Sequence, residues 1–186
     1  MKQNTKRIAT IGVLTALSVV LVSLIHFPIF PAVSFLEYDP ADIPILISGF
    51  AFGPVAGIIV TVIASLIQGF TVSAHSGIYG IIMHVIATGI NVTVASLIYK
   101  RNKTKKNAIV AILCGALSHV VLMFGANLVI TPYFMMGAIN KGTVGAVLDL
   151  MPFILLFNAI KAGINGAVTF FIYKSISGII AKLGIK

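Results

Sequence analysis

The stretch GFAFGPVAG, residues 49–57, interrupts an apolar run that extends from 40 to 72. It is either a kink within one helix or a tight turn between two short ones. The choice sets which side of a membrane every later loop faces. That a membrane is involved follows from composition. The chain of 186 residues is 59% hydrophobic and 9% charged, with a mean hydropathy of +1.10. A soluble domain of this size would carry a largely apolar surface. Further apolar runs occupy 8–25, 77–99, 108–135 and 148–173. A helix rises about 1.5 Å per residue, so a core of about 30 Å takes about 20 residues. Those four runs fit, whereas 40–52 and 57–72 are short.

The basic stretch KRNKTKK, residues 100–106, settles the parity. Basic loops stay on the cytoplasmic side. Of thirteen Lys and Arg residues, eight lie at 2, 6, 7, 100, 101, 103, 105 and 106, and three at 174, 182 and 186. Six crossings place all eleven on the cytoplasmic side, with both termini there, whereas five would turn KRNKTKK outward. Only Lys141 and Lys161 remain. The net charge of +9 is thereby a matter of topology and does not point to nucleic acid. The expected fold is one all-α membrane domain over 1–186 with six transmembrane helices. MKQNTKR leads into apolar residues 8–25 without an A-x-A-like cleavage site, so that segment is expected to remain as the first helix. The lone Cys114 lies in an apolar run and supports no disulfide framework.

The first external loop, HFPIFPAVSFLEYDPADIP (26–44), is rich in Phe, Pro, Leu and Val. Its prolines disfavour helix. Asp39 reads as the N-cap and Pro40 as the first residue of the second helix. An apolar loop of this kind is expected to dip toward the helices as a lid, since irregular backbone at depth must be buried in protein or line a cavity.

In the last run, LFNAIKAGINGA (156–167) carries Asn158, Lys161 and Asn165 at i, i+3 and i+7, on one helical face. A lysine at bilayer depth costs roughly 2.5–3.5 kcal/mol on insertion scales and points to function. Either the face is a polar seam between helices, or it walls a ligand cavity. Asn127 and Thr131 offer a match on the fifth helix, and Pro132 is expected to end or bend it there. Asparagine donates and accepts while lysine only donates, a mixture that suits a ligand bearing hydroxyls. Glu37 is a further polar contact and a potential partner for the Lys161 ammonium. Phe35, Leu36, Tyr38, Met123 and Phe157 would serve a planar apolar portion.

His84, Thr88 and Asn91 share a face and read as an interhelical hydrogen-bond seam. His26 and His75 read as interfacial. No His/Cys pattern suits a metal. GAINKGT (137–143) does not match a phosphate-binding P-loop. Glu37, Asp39, Asp42 and Asp149 are all expected at or outside the external interface, leaving no mid-membrane carboxylate of the kind proton-coupled carriers use. The halves also lack the repetition common in secondary transporters. The chain therefore reads as a binder of a polar-plus-aromatic solute that draws its energy from partners. In IATIGVLTALS (8–18), Gly12 and Ala16 have small-x-x-x-small spacing, which admits a partner helix or serves internal packing.

These features resemble the substrate-binding S components of energy-coupling factor (ECF) vitamin transporters over nearly the whole chain. Gly12 and Ala16 fall where such members carry an A-x-x-x-A motif for docking a coupling subunit, with glycine here in place of the first alanine. FLEYDPADIPILISGFAFGPVAG (35–57) and NAIKAGING (158–166) are similar to the first loop, second helix and last helix of the riboflavin-specific members. The resemblance implies a subunit of an ATP-driven importer in the bacterial plasma membrane. It would bind riboflavin as cargo, not as a cofactor, and work with one transmembrane coupling subunit and two ATPases. The alternatives are a self-sufficient carrier or facilitator, an S component for another vitamin, or an intramembrane enzyme, the last without an apparent nucleophile–base pair.

Overall fold

The computed structural model describes residues 3–182. Lys2 and Lys186, which entered the charge count, lie outside the described residues. The chain is helical almost throughout: α1 Gln3–Leu24, α2 Asp42–Phe52, α3 Pro54–Phe70, α4 Gly77–Arg101, α5 Lys105–Met136 and α6 Lys141–Lys182. Four stretches are long and apolar enough to cross a membrane: Asn4–Leu24, Ala74–Arg101, Lys105–Met136 and Lys141–Ser175. α2 and α3 are shorter apolar helices.

GFAFGPVAG is a tight turn. Gly53 sits at φ 92° and donates its N–H to Gly49 O at 2.8 Å, and Pro54 opens α3. Only glycine takes that φ without penalty, and proline at a helix start gives up an N–H that would have no helical partner. α3 then lies back on α2. A Cβ on Gly57 would stand 3.4 Å from Gly49 Cα and collide with Val92 Cγ2, and one on Gly49 would collide with Ser96 Oγ and Val92 Cγ2. Glycine thus lets α2 and α3 meet at backbone distance and admits the Val92 and Ser96 side chains of α4.

Helix ends depart from the apolar runs. α6 starts at Lys141 rather than 148, because Asn140 caps it: its Oδ1 accepts from Gly142 N–H at 2.9 Å and Thr143 N–H at 3.0 Å. α5 starts at Lys105 rather than 108, where Thr104 Oγ1 accepts from Asn107 N–H at 3.2 Å. Polar first turns escape a search for apolar residues. Pro132 does not end α5, which runs one turn further to Met136. The expected start of the second helix is two residues early. Asp39 Oδ1 does accept from Ala41 N–H at 3.0 Å, but Ile43 N–H reaches back only to Pro40 O, so a tight turn precedes the helix at Asp42.

The α1–α2 connection forms a short antiparallel ladder, β1 Phe27–Pro28 with β2 Glu37–Tyr38, around a 3-10 turn at Pro31–Val33. Its apolar residues pack on the start of α6 and the end of α5. Val33 is buried with Val147, Met151 and Ile154, Phe30 meets the Phe153 ring at 5.8 Å and Phe35 the Phe134 ring at 5.7 Å. At the opposite end, Phe50, Tyr99 and Tyr173 stack into one aromatic cluster, and Arg7 Nη2 donates to Phe52 O at 3.0 Å. Large apolar side chains such as Val13, Ile63, Leu117 and Phe171 face outward, as a surface solvated by lipid requires.

Candidate functional site

Between the α1–α2 connection and the bundle lies a cavity of about 120 Å³, lined by residues of α3, α4, α5 and α6 and by Phe35, Leu36, Glu37 and Asp39. Lys161 stands on its wall, 8% exposed. Its Nζ donates to Asp39 Oδ2 at 2.7 Å, across 122 positions of sequence. The expected partner, Glu37, lines the same cavity, but the ion pair goes to Asp39. A buried lysine needs a hydrogen-bonded counter-charge, and the turn before α2 delivers Asp39 to it.

Asp42, at the start of α2, is fully buried among the helices. Thr88 Oγ1 donates to its Oδ1 at 2.8 Å, His84 Nε2 lies 3.2 Å from the same oxygen, and Asn165 Nδ2 lies 3.3 Å from Oδ2. Its position in the first turn of α2 places the charge at the favourable helix end. Ser65 Oγ donates to Thr61 O at 2.6 Å and faces His84 Nδ1 at 2.8 Å. His84 therefore bridges Ser65 of α3 and Asp42 of α2. Lys161 thus neutralises Asp39, while Thr88, His84 and Asn165 satisfy the Asp42 carboxylate.

Asn165 ties the loop to this group. Its Nδ2 donates to Asp39 O at 2.9 Å and its Oδ1 accepts from Tyr38 OH at 3.0 Å. Burial, then the adjacent Asp39 carboxylate, push the Tyr38 phenol upward from its ordinary value, which keeps the hydroxyl a donor. Ser18 Oγ holds Ala41 O at 2.8 Å from the α1 side.

Of the residues singled out in the sequence, Phe35, Leu36, Glu37, Met123, Phe157, Asn158 and Lys161 line this cavity. Thr131 lines a smaller one of about 70 Å³ that shares Phe35, Leu36 and Met123. Asn127 is turned to Thr131, whose Oγ1 donates to it at 2.8 Å. Asn165 and Tyr38 are engaged in fastening the loop. Sequence reasoning passed over Asp39, His84 and His119 as parts of this cavity. His84 and Thr88 do form an interhelical seam, and both line the cavity as well. The overlooked signal was a histidine in each of two otherwise apolar helices and an Asp just ahead of a third. Gly12 and Ala16 are exposed on α1, and a Cβ at Gly12 would meet nothing within 4 Å.

The family model for the substrate-specific component of ECF transporters matches residues 6–173. The chain belongs to this family. This ECF component is therefore a membrane-embedded, substrate-binding part of a transporter and not an enzyme. It is 28% identical to the riboflavin transporter RibU of Streptococcus thermophilus, with 97% of this chain and 87% of that protein covered. It is also 28% identical to RibU of Staphylococcus aureus, covering 98% and 96%. A solved S component of a bacterial ECF transporter superposes with a TM-score of 0.79 at 27% identity, over 95% of this chain and 98% of that one. The ECF component thus shares that fold.

Proposed function

We propose that this chain is the riboflavin-binding subunit of an ATP-driven ECF importer in the bacterial plasma membrane. It forms one domain of six crossings with both termini cytoplasmic, takes riboflavin from the extracellular side, and delivers it with a coupling subunit and two ATPases. The observation that carries this reading is a cavity holding a buried Lys161–Asp39 pair beneath an apolar loop, in a chain similar over nearly its full length to proteins named riboflavin transporters. Phe35, Leu36, Met123 and Phe157 suit the flat isoalloxazine ring, and Lys161, Asn158 and Glu37 its polar groups. Thr131 extends the polar wall, and Tyr38, Asn127 and Asn165 hold that wall and the loop in place. The exposed Gly12 and Ala16 suit close approach by the coupling subunit. The charge pattern supports the orientation, since Arg7, Lys100, Arg101 and Lys105 share the end away from the loop.

The absorbance spectrum of the purified protein, before and after incubation with riboflavin and desalting, tests the ligand class. A retained flavin spectrum is expected. A protein that retains none would refute the reading. Vesicles holding this chain alone should show binding without net uptake. Rapid uptake without partners would replace the subunit with a self-sufficient carrier.

A further inference from the structure

His119 of α5 lines the cavity and is 1% exposed. Its Nε2 lies 2.8 Å from Asn158 Oδ1. The amide of Asn158 cannot be turned around, because its Nδ2 donates to Ile154 O at 2.8 Å. Asn158 Oδ1 is therefore an acceptor, and His119 Nε2 carries the hydrogen. Nδ1 is left buried with no hydrogen-bond partner among the described residues. The buried carboxylates Asp39 and Asp42 are engaged by Lys161, His84, Thr88 and Asn165, and a buried imidazolium without a counter-charge is costly. A neutral ring thus holds out a bare lone pair. Gln68 on α3 also has one amide atom buried without a partner among the described residues, its other amide atom meeting Ser73 Oγ at 3.3 Å. Both residues line the cavity of Lys161. Buried polar groups are nearly always satisfied, and each exception calls for a cause. Lys161 has three donors, and its hydrogen bond in the structure goes to Asp39. One side of the cavity donates from α6, and the other accepts from α5.

We propose that His119 is a specificity-determining residue of the binding site, its Nδ1 accepting a hydrogen bond from an N–H or O–H of the ligand. The inference rests on the flavin reading above. Riboflavin has donors of both kinds, the imide N–H of the ring and the hydroxyls of the ribityl chain. The cavity therefore discriminates against flavins that lack the matching donor, because such a ligand leaves a buried acceptor unpaired.

The test is equilibrium binding to the purified full chain of riboflavin, its N3-methyl derivative (imide N–H blocked) and lumiflavin (no hydroxyls). The wild type should bind one or both analogues about ten- to a hundredfold more weakly than riboflavin. In His119→Phe, riboflavin should weaken by a similar factor, while the analogue without the matching donor should bind variant and wild type about equally. His119→Gln, which keeps a donor and an acceptor, should recover part of the loss. An equal loss for all three ligands would reduce His119 to a structural support and overturn the proposal. Undiminished riboflavin affinity in a folded variant would do the same. Should the variants fail to fold, the wild type still decides: both analogues binding as tightly as riboflavin would contradict any reading of a donor. A wild type that binds riboflavin while His119 variants bind it equally well sinks this inference alone. A wild type that binds no flavin removes the ligand reading, and this inference with it.

Discussion

At the scale of single residues, the organising feature is the pairing of Lys161 with Asp39. Taking either charge out of water is costly, and the pair tolerates burial because each neutralises the other. Lys161→Met alone should therefore destabilise the protein by roughly 3–5 kcal/mol, since it strands a carboxylate that is 2% exposed. Adding Asp39→Asn should restore much of that stability. Riboflavin affinity should remain depressed in the double variant by about tenfold or more, because the donors facing the ligand are gone. Thermal unfolding and ligand titration on the same samples separate the effects. A well-folded double variant with wild-type affinity would remove Lys161 from the site. The lysine was legible in the sequence because it stands out in an apolar run. Its partner was not. Glu37 and Asp39 are two positions apart, and only the turn that precedes α2 decides which one reaches α6. The same holds for Asp42, which reads as interfacial at a helix start but is covered by Thr88, His84 and Asn165 from distant segments.

At the scale of elements, glycine governs how closely α2, α3 and α4 approach. Gly49→Ala should lower stability by about 1–3 kcal/mol through overpacking against Val92 and Ser96, although alanine favours helix by about 1 kcal/mol. Gly12→Ala, with open space around it, should be neutral or slightly stabilising. Equal melting temperatures for the two variants would show that the α2–α4 contact yields easily. The loop invites a kinetic test. Polar replacements of Phe35 and Leu36 should speed riboflavin release more than they slow association, since changes within one interface fall mainly on the off-rate. An unchanged off-rate would mean that the loop is no lid. Apolar runs and charge parity made the six helices legible before any coordinates. The polar first turns at Lys105 and Lys141 were not, because caps such as Thr104 and Asn140 fix a helix start independently of hydropathy.

At the scale of the whole molecule, an apolar outer surface, a basic end and a covered cavity at the other end suit a subunit that captures its solute on one side and meets its partners elsewhere. Gly12→Trp or Ala16→Trp should leave riboflavin binding by the isolated chain intact while abolishing uptake by the assembled transporter. Loss of both together would assign that face of α1 to internal packing. The central claim is that the cavity over Lys161 is a flavin site, and a quantitative titration of the purified chain with riboflavin tests it most directly. Saturable binding of one flavin per chain, undiminished by unrelated vitamins in excess, is the expected result. The absence of saturable binding to a well-folded protein, or displacement of riboflavin by a vitamin without a flavin ring, would contradict it.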